Sequence, residues 1–340
     1  MSGGAWIRVA KPGLLTTVQD AGRYGLQHLG VVPGGAMDPV ALAIANALVG
    51  NPPEAAALEI TLIGPELEFG CAALVALCGA RFDARLDGAP LPRDRPVLVE
   101  QGARLAIGAA RAGARACLAV AGGIAVPPVL GSRSTFLPAA FGGFQGRALR
   151  SGDIVPLAAD AAEIARRRYA VLPEKRRRAG GPASVGWSVP TLTLPEREPI
   201  TVHAMEGRHH ALFDAASRRA FFEATWKVLP DSNRMGFRLG GPALARVAAG
   251  EIHSEPTCLG TVQVPANGQP IALMADHQTT GGYPRIAEIA SADVARLAQL
   301  APGQTLRFAR CTLAEAVALR KANERRLRGL RRSLAWSYGT

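Results

Sequence analysis

Between residues 74 and 123 the sequence is a succession of short apolar runs, LVALCG, FDARLDG, RPVLVEQG and ACLAVAGG, separated by Gly, Pro and Asp. That punctuation predicts a β-meander or barrel instead of alternating strand and helix. The second half repeats the style in WKVLP, GFRL, GTVQVP and PIALMAD around further turn signals. A chain of 340 residues is too long for one minimal core and suffices for two. The expected fold class is therefore mainly β with a few helices, in two barrel-like domains in tandem.

Residues 157–198 break the pattern, because an Ala and Arg stretch passes into RRRAGGPASVGWSVPTLTLPEREP, where Gly and Pro accumulate. The domain boundary is expected there: 1–185 as a β-rich barrel-like domain, 186–199 as linker, 200–312 as a second β domain, and 313–340 as a basic helix or tail. In the first half one helix stands out, with Asp38 as N-cap, Pro39 at N1, apolar residues from Val40 to Val49 and Gly50 as a stop. Two more are expected at the end, one from an N-cap at Ser291 to Leu300 and one opening with a capping box from Thr312 to Glu315.

Net charge is +12, yet only four of the 39 basic residues are lysines, Lys11, Lys175, Lys227 and Lys321. Arginine runs at Arg166 to Arg168, Arg176 to Arg178 and Arg325 to Arg332 have no interleaved aromatics for base stacking, so they are read as solvated faces and no nucleic-acid partner is expected. Cys71, Cys78, Cys117, Cys258 and Cys311 form no C-x-x-C, which argues against a disulfide framework or zinc knuckle and for small buried residues in a reducing compartment. No stretch has signal-peptide or membrane-span length, so the expected place is the cytoplasm.

Most catalytic signatures are missing. There is no G-x-x-x-x-G-K-[ST] phosphate cradle, GGFQG at 142–146 is not a dinucleotide fingerprint, and no G-x-S-x-G elbow occurs. The six histidines show no H-E-x-x-H or H-x-H spacing, so no metal site is expected. What remains is a set of polar, glycine-rich clusters between strands: TTVQDAGRYG (16–25), VPGGAMD (32–38), GSRSTF (131–136), GGFQGRALRSGD (142–153), DSNRMGFRLGGP (231–242), HSEPTCLGTVQVP (253–265) and ADHQTTGGYPRI (275–286).

In that order these segments resemble the family of 5-oxoprolinase C subunits, also described as the biotin-dependent carboxyltransferase or allophanate hydrolase subunit 2 family. The resemblance runs from about residue 5 to about 318. It implies cyclophilin-like barrels and, as activity, a part in the ATP-dependent opening of 5-oxo-L-proline to L-glutamate. The implied partners are a paired subunit of similar architecture, the B type of 5-oxoprolinase, and a lactamase-like subunit of the A type. Two alternatives hang on the same fold: a biotin-dependent carboxyltransferase component acting on an amide or urea, or a non-catalytic antagonist of a kinase inhibitor. Lacking a motif of its own for ATP or for biotin attachment, the chain is expected to meet ATP through its partners, with biotin entering only in the carboxyltransferase alternative. The sequence departs from the family pattern at Arg208 after Gly207, at His277 and at Pro256.

A lactam or ureido substrate presents an amide N–H and a carbonyl, and 5-oxoproline adds a carboxylate, so its pocket calls for an amide partner, oriented backbone donors and a guanidinium clamp. Gln278, Thr279, Thr280, Gly281 and Gly282 can supply the first two. Arg234 beside Asn233, Arg133 and then Arg23 are the clamp candidates, and Gln263 is either a binding residue or a buried hydrogen-bonding one. Asp276, Asp38 and Tyr283 are the candidates for proton transfer. Each has a structural alternative: the glycines turn the chain, Asp38 caps its helix, Tyr283 packs, and Arg133 and Arg234 pair with Asp153 and Asp231.

Overall fold

The computed structural model describes residues 4–177, 181–190, 199–248 and 252–338. Arg178 and positions 191–198, most of the expected linker, lie outside them. The chain divides into two units, Met1–Arg23 with Asp38–Thr193 and Arg326–Thr340, and Tyr24–Met37 with Leu194–Arg325. This differs from the contiguous division expected from sequence. Tyr24–Met37 goes with the second unit because Met37 is buried in that unit's apolar core, and the Gly35 carbonyl accepts a hydrogen bond of 2.6 Å from Arg234.

In the first unit the strands Ala73–Leu86 and Arg104–Val120 pair antiparallel along most of their length and anchor an 11-stranded sheet. The early part of Arg104–Val120 also pairs with Glu66–Phe69, and its last part with Ala57–Thr61, which continues to Leu15–Gln19. Register shifts from Gly79 to Ala84 bend this ladder. Gly79 is needed there: its φ is +108°, and a Cβ would lie 2.6 Å from the Arg115 carbonyl oxygen. Ile7, Leu58, Ile60, Phe69, Val75 and Leu118 fill the core.

The helix α1 (Pro39–Leu48) packs on the two long strands and buries Leu42, Ile44 and Leu48. Its N-cap is Asp38, whose carboxylate accepts from Ala41 N at 2.8 Å, and Gly50 at φ +73° follows its end. The helix α2 (Ala161–Val171) carries the first arginine run: Arg166 and Arg167 are exposed, while Arg168 donates to the Val49 carbonyl and to Asn51 Oδ1.

In the second unit seven strands close into a barrel in the order Ile200–Glu206, Arg285–Ile289, Thr261–Gln263, Ile271–Leu273, Gly236–Gly240, Trp226–Val228, Thr305–Arg310. All neighbours are antiparallel except the closing pair, Ile200–Glu206 with Thr305–Arg310, which is parallel. Every second residue turns into one core: Val202 and Ala204, Trp226 and Val228, Phe237 and Leu239, Val262, Ala272, Ala287 and Ile289, Leu306 and Phe308. Three of these strands, Ile200–Glu206, Arg285–Ile289 and Thr305–Arg310, fall where the sequence raised no strand expectation.

The helix α3 (Ala215–Glu223) likewise has no counterpart in the sequence reading, although Asp214 caps it through Ser217 N at 2.6 Å. Phe221 drops from α3 against the barrel, stacked on Phe308 at 4.5 Å between centroids and edge-on to Phe222. The helix expected from Ser291 to Leu300 forms as a 3-10 turn, Ser291–Asp293, followed by the short α4 (Val294–Ala298), and Ser291 is not its cap. The capping box does form: Glu315 accepts from Thr312 N, Thr312 Oγ1 from Glu315 N, and α5 (Leu313–Tyr338) follows.

All five cysteines are free; Cys78, Cys117 and Cys311 are buried as expected, Cys71 is half-buried, and Cys258 is exposed. Among the described residues no helix is long and apolar enough to cross a membrane. Because Phe221 is fully buried between α3 and the barrel, Phe221→Ala is expected to cost about 3–5 kcal/mol, read as a lower urea midpoint with an unchanged slope.

Candidate functional site

The alternation that fills the barrel interior forces the other half of each strand outward. Several of these outward residues, Thr201, Lys227, Arg238 and Arg307, are exposed. Thr261 and Gln263 are instead buried polar residues, at 0 % and 1 % exposure. They lie on one outer patch with Glu288, directly across from Thr261, and Arg285, across from Gln263.

Two loops roof the patch. Glu255–Pro256 pairs with Thr280–Gly281 as a two-stranded ribbon, Thr257 N donates to the Thr279 carbonyl at 2.9 Å, and Thr257 Oγ1 donates to the Gln278 carbonyl. Gly281 permits the ribbon to lie this close, since a Cβ there would sit 2.5 Å from Gln263 Nε2. Underneath, Gln278 Nε2 donates to Gln263 Oε1 at 3.3 Å. Gln263 Nε2 is buried with no hydrogen-bond partner among the described residues. An amide donor left so is costly unless something fills its bond.

The charged groups at the edge of the patch are arranged around Arg285. Its guanidinium is bonded to Glu255 and lies 3.7 Å from Glu288, while Arg208 reaches Glu255 at 3.3 Å. The bond from Arg285 holds the Glu255 carboxyl below the usual range. Glu288 goes the other way: burial raises it, against the hydrogen bond from Thr261 at 2.7 Å. Two carboxyls around one guanidinium are thus pushed in opposite directions. Cys258 Sγ donates to the same Glu288 oxygen at 3.6 Å. His209 accepts from Arg285 N on Nδ1, leaving its proton on Nε2, and burial keeps it neutral.

The site residues expected from sequence are therefore partly brought together. Gln263, Gln278, Thr279, Thr280, Gly281 and Gly282 meet here; Tyr283 beside them is 51 % exposed. Arg234 and Asp276 need correction as clamp and base, because they bind one another. Arg234 Nε donates to Asp276 Oδ2 at 2.9 Å and its terminal nitrogen to Oδ1 at 3.0 Å. Both side chains are buried, at 6 % and 1 % exposure. The expected structural partner Asp231 instead pairs with Arg238, and Asn233 is spent on a turn, accepting from Met235 N. His277 next to Asp276 is buried, donates from Nδ1 to the Met274 carbonyl and is lowered by burial.

Asp38, Arg23 and Arg133 belong to the first unit. Asp38 is used as the cap of α1, Arg23 donates to the Ser134 carbonyl under the Phe141 ring, and Arg133 donates to the Val126 carbonyl, not to Asp153, which Arg147 takes. QDAGR and GSRST do meet, through a residue not singled out: Asp20 accepts from Ser132 and Ser134 hydroxyls at 2.6 Å each, from Gly22 N and from Arg133 N. Also missed were Glu288, Arg285, Glu255 and Cys258. The alternation Thr261, Val262, Gln263 was the available signal, since polar residues flanking a core residue on a short strand must share a face.

Comparison with known proteins points the same way. A family profile described as "Carboxyltransferase domain, subdomain A and B" matches residues 29–310. The chain is 42% identical over 319 residues to the 5-oxoprolinase C subunit of Escherichia coli (strain K12), covering 94% of this chain and 96% of that protein. It is 36% identical to the Haemophilus influenzae protein of the same name, over 93% and 94% of the two chains. Among solved structures, urea amidolyase of K. lactis superposes with a TM-score of 0.87 at 30% identity, over 97% of this chain and 20% of that one.

Removing one partner of the buried ion pair strands the other. Arg234→Ala or Asp276→Asn is expected to cost about 3–5 kcal/mol in stability, measured by urea unfolding, so any lost activity would follow lost fold. His209, His210 and His277 are all held below the ordinary histidine range, chiefly by burial. The unfolded chain therefore binds protons first, and stability present above about pH 6.5 is lost as pH falls toward the folded values. The unfolding midpoint is expected to drop between about pH 7 and about pH 5.5, and less steeply in His277→Gln.

Proposed function

The chain belongs to the carboxyltransferase-domain family, and on that premise we propose that it is a subunit of an ATP-dependent 5-oxoprolinase. In this reading it helps bind 5-oxo-L-proline and open it to L-glutamate, together with a paired subunit and a lactamase-like subunit. The observation that carries the reading is the roofed amide pair. Gln263 Nε2 is a buried donor with its bond unmade among the described residues, which suits the carbonyl oxygen of a lactam, and the donor gains strength from being shielded from water. Gln278 fixes the Gln263 amide from the other side, and the Thr280–Gly281 backbone closes over both.

With Arg234 committed to Asp276, the substrate carboxylate falls to another guanidinium. Arg208 fits: its side chain is 69% exposed, and it reaches the patch through Glu255. ATP is assigned to the partner subunits, since the sequence has no phosphate-binding loop. The relatives favour this reading by identity, 42% to the Escherichia coli C subunit against 35% to a urea amidolyase from Lachancea kluyveri. The likeness to the K. lactis enzyme supports a second reading, in which the same donors polarise the ureido carbonyl of a carboxybiotin carried by another protein.

The two are separated by glutamate release from 5-oxoproline and ATP by the cognate partner subunits, with and without this chain, and with avidin as a trap for biotin. Release that requires the chain and ignores avidin is the expected result. Release abolished by avidin would favour the carboxyltransferase reading, and co-purifying subunits without any turnover would leave a binding role.

A further inference from the structure

Four acidic side chains or phenols stand near the roofed patch, and three are accounted for. Asp276 is bound on both oxygens by Arg234. Glu255 is bonded by Arg285 and approached by Arg208. Tyr283 is half exposed beyond the ribbon. Glu288 is the fourth, and its surroundings differ. Its Oε2 accepts from the Thr261 hydroxyl and the Cys258 thiol, its Oε1 lies 3.7 Å from Arg285, and its neighbour on the adjoining strand is the apolar Met205. Its side chain keeps 23% exposure, and the adjacent Cys258 is exposed, so a small molecule can reach it.

We infer that Glu288 is the proton-transferring residue of this site, acting at the ring nitrogen and the attacking water of a bound lactam. Thr261 and Gln263 are two residues apart on one strand face, about 7 Å along the strand. A five-membered lactam spans that interval with its carbonyl oxygen on Gln263 Nε2 and its nitrogen toward Glu288, which lies directly across from Thr261. Glu255 and Glu288 then divide the work, in the way environments that push two carboxyls apart assign fixed charge to one and the proton to the other. Glu255 holds Arg285 as a fixed charge; Glu288 takes a proton up and hands it on. His209 bears on this through Glu255, at 4.0 Å, and through the Arg285 amide, which donates to its Nδ1.

The inference rests on the 5-oxoprolinase reading. A water oxygen bonds to the lactam carbon, already activated at its oxygen by ATP, and gives its proton to the Glu288 carboxylate. The C–N bond breaks, the nitrogen keeps the electron pair, and the Glu288 carboxyl returns the proton to that nitrogen. A second water then hydrolyses the acyl phosphate left on that carbon to L-glutamate and inorganic phosphate, and Glu288 ends as it began.

The test uses the reconstituted complex of the full chain with its partner subunits, as wild type, Glu288→Gln and Glu288→Asp. Glu288→Gln is expected to lower kcat by about 10²–10⁴-fold with little change in KM, and Glu288→Asp to recover part of the loss. Alkylation of Cys258 by iodoacetamide gives a readout independent of turnover: 5-oxoproline is expected to slow it in wild type and in Glu288→Gln alike. The proposal is overturned if Glu288→Gln turns over within about threefold of wild type, if it no longer co-purifies with the partners, or if 5-oxoproline leaves Cys258 labelling unchanged. A wild-type complex that releases no glutamate would instead sink the 5-oxoprolinase reading, and this inference with it.

Discussion

A barrel of seven strands has an interior just large enough for its own side chains, and here Phe237, Phe308, Trp226 and their neighbours occupy it fully. No ligand can be held inside. Chemistry in this unit is therefore built outside the interior, on loops or on the outer wall, where a strand residue is ordinarily in water. The wall becomes a site only where something shields it, and the ribbon of Glu255–Pro256 with Thr280–Gly281 does so over Thr261 and Gln263. The glycines of QTTGGYP have their place in that arrangement. Gly281 is there for close approach to Gln263, which a side chain would prevent.

Features governed by neighbours in sequence were legible before the structure. The Asp38 cap, Pro39, the Gly50 stop and the Thr312 to Glu315 box each depend on groups within a few residues, and all form. Strands such as Gly236–Gly240 and Ile271–Leu273 were marked by the turn residues around them. By contrast, Ile200–Glu206 and Thr305–Arg310 are joined mainly to each other, across the whole second unit, and local signals say nothing of that.

The site was legible as a set of polar loops but not as a set of roles. Arg234 and Asp276 are both residue types that chemistry would want in a pocket, and each neutralises the other in the core beside the Gly35 carbonyl. Pairing between positions 42 residues apart is settled by tertiary geometry alone. Glu288 illustrates the converse. No sequence signal marked it, and only the covering loop and the Thr261 hydroxyl make its environment unusual.

The parallel seam of the barrel has a bearing on how the chain acquires its structure. Ile200 must find Leu306, and the strands between them close the circle only when that contact is made. During synthesis the first strand of the unit waits, unpaired on that side, until the last one leaves the ribosome. Barrels dominated by such distant pairings fold slowly and expose strand edges meanwhile. Until that strand arrives the nascent second unit shows an open edge, and a partner subunit arriving early would meet an open sheet, not a finished wall.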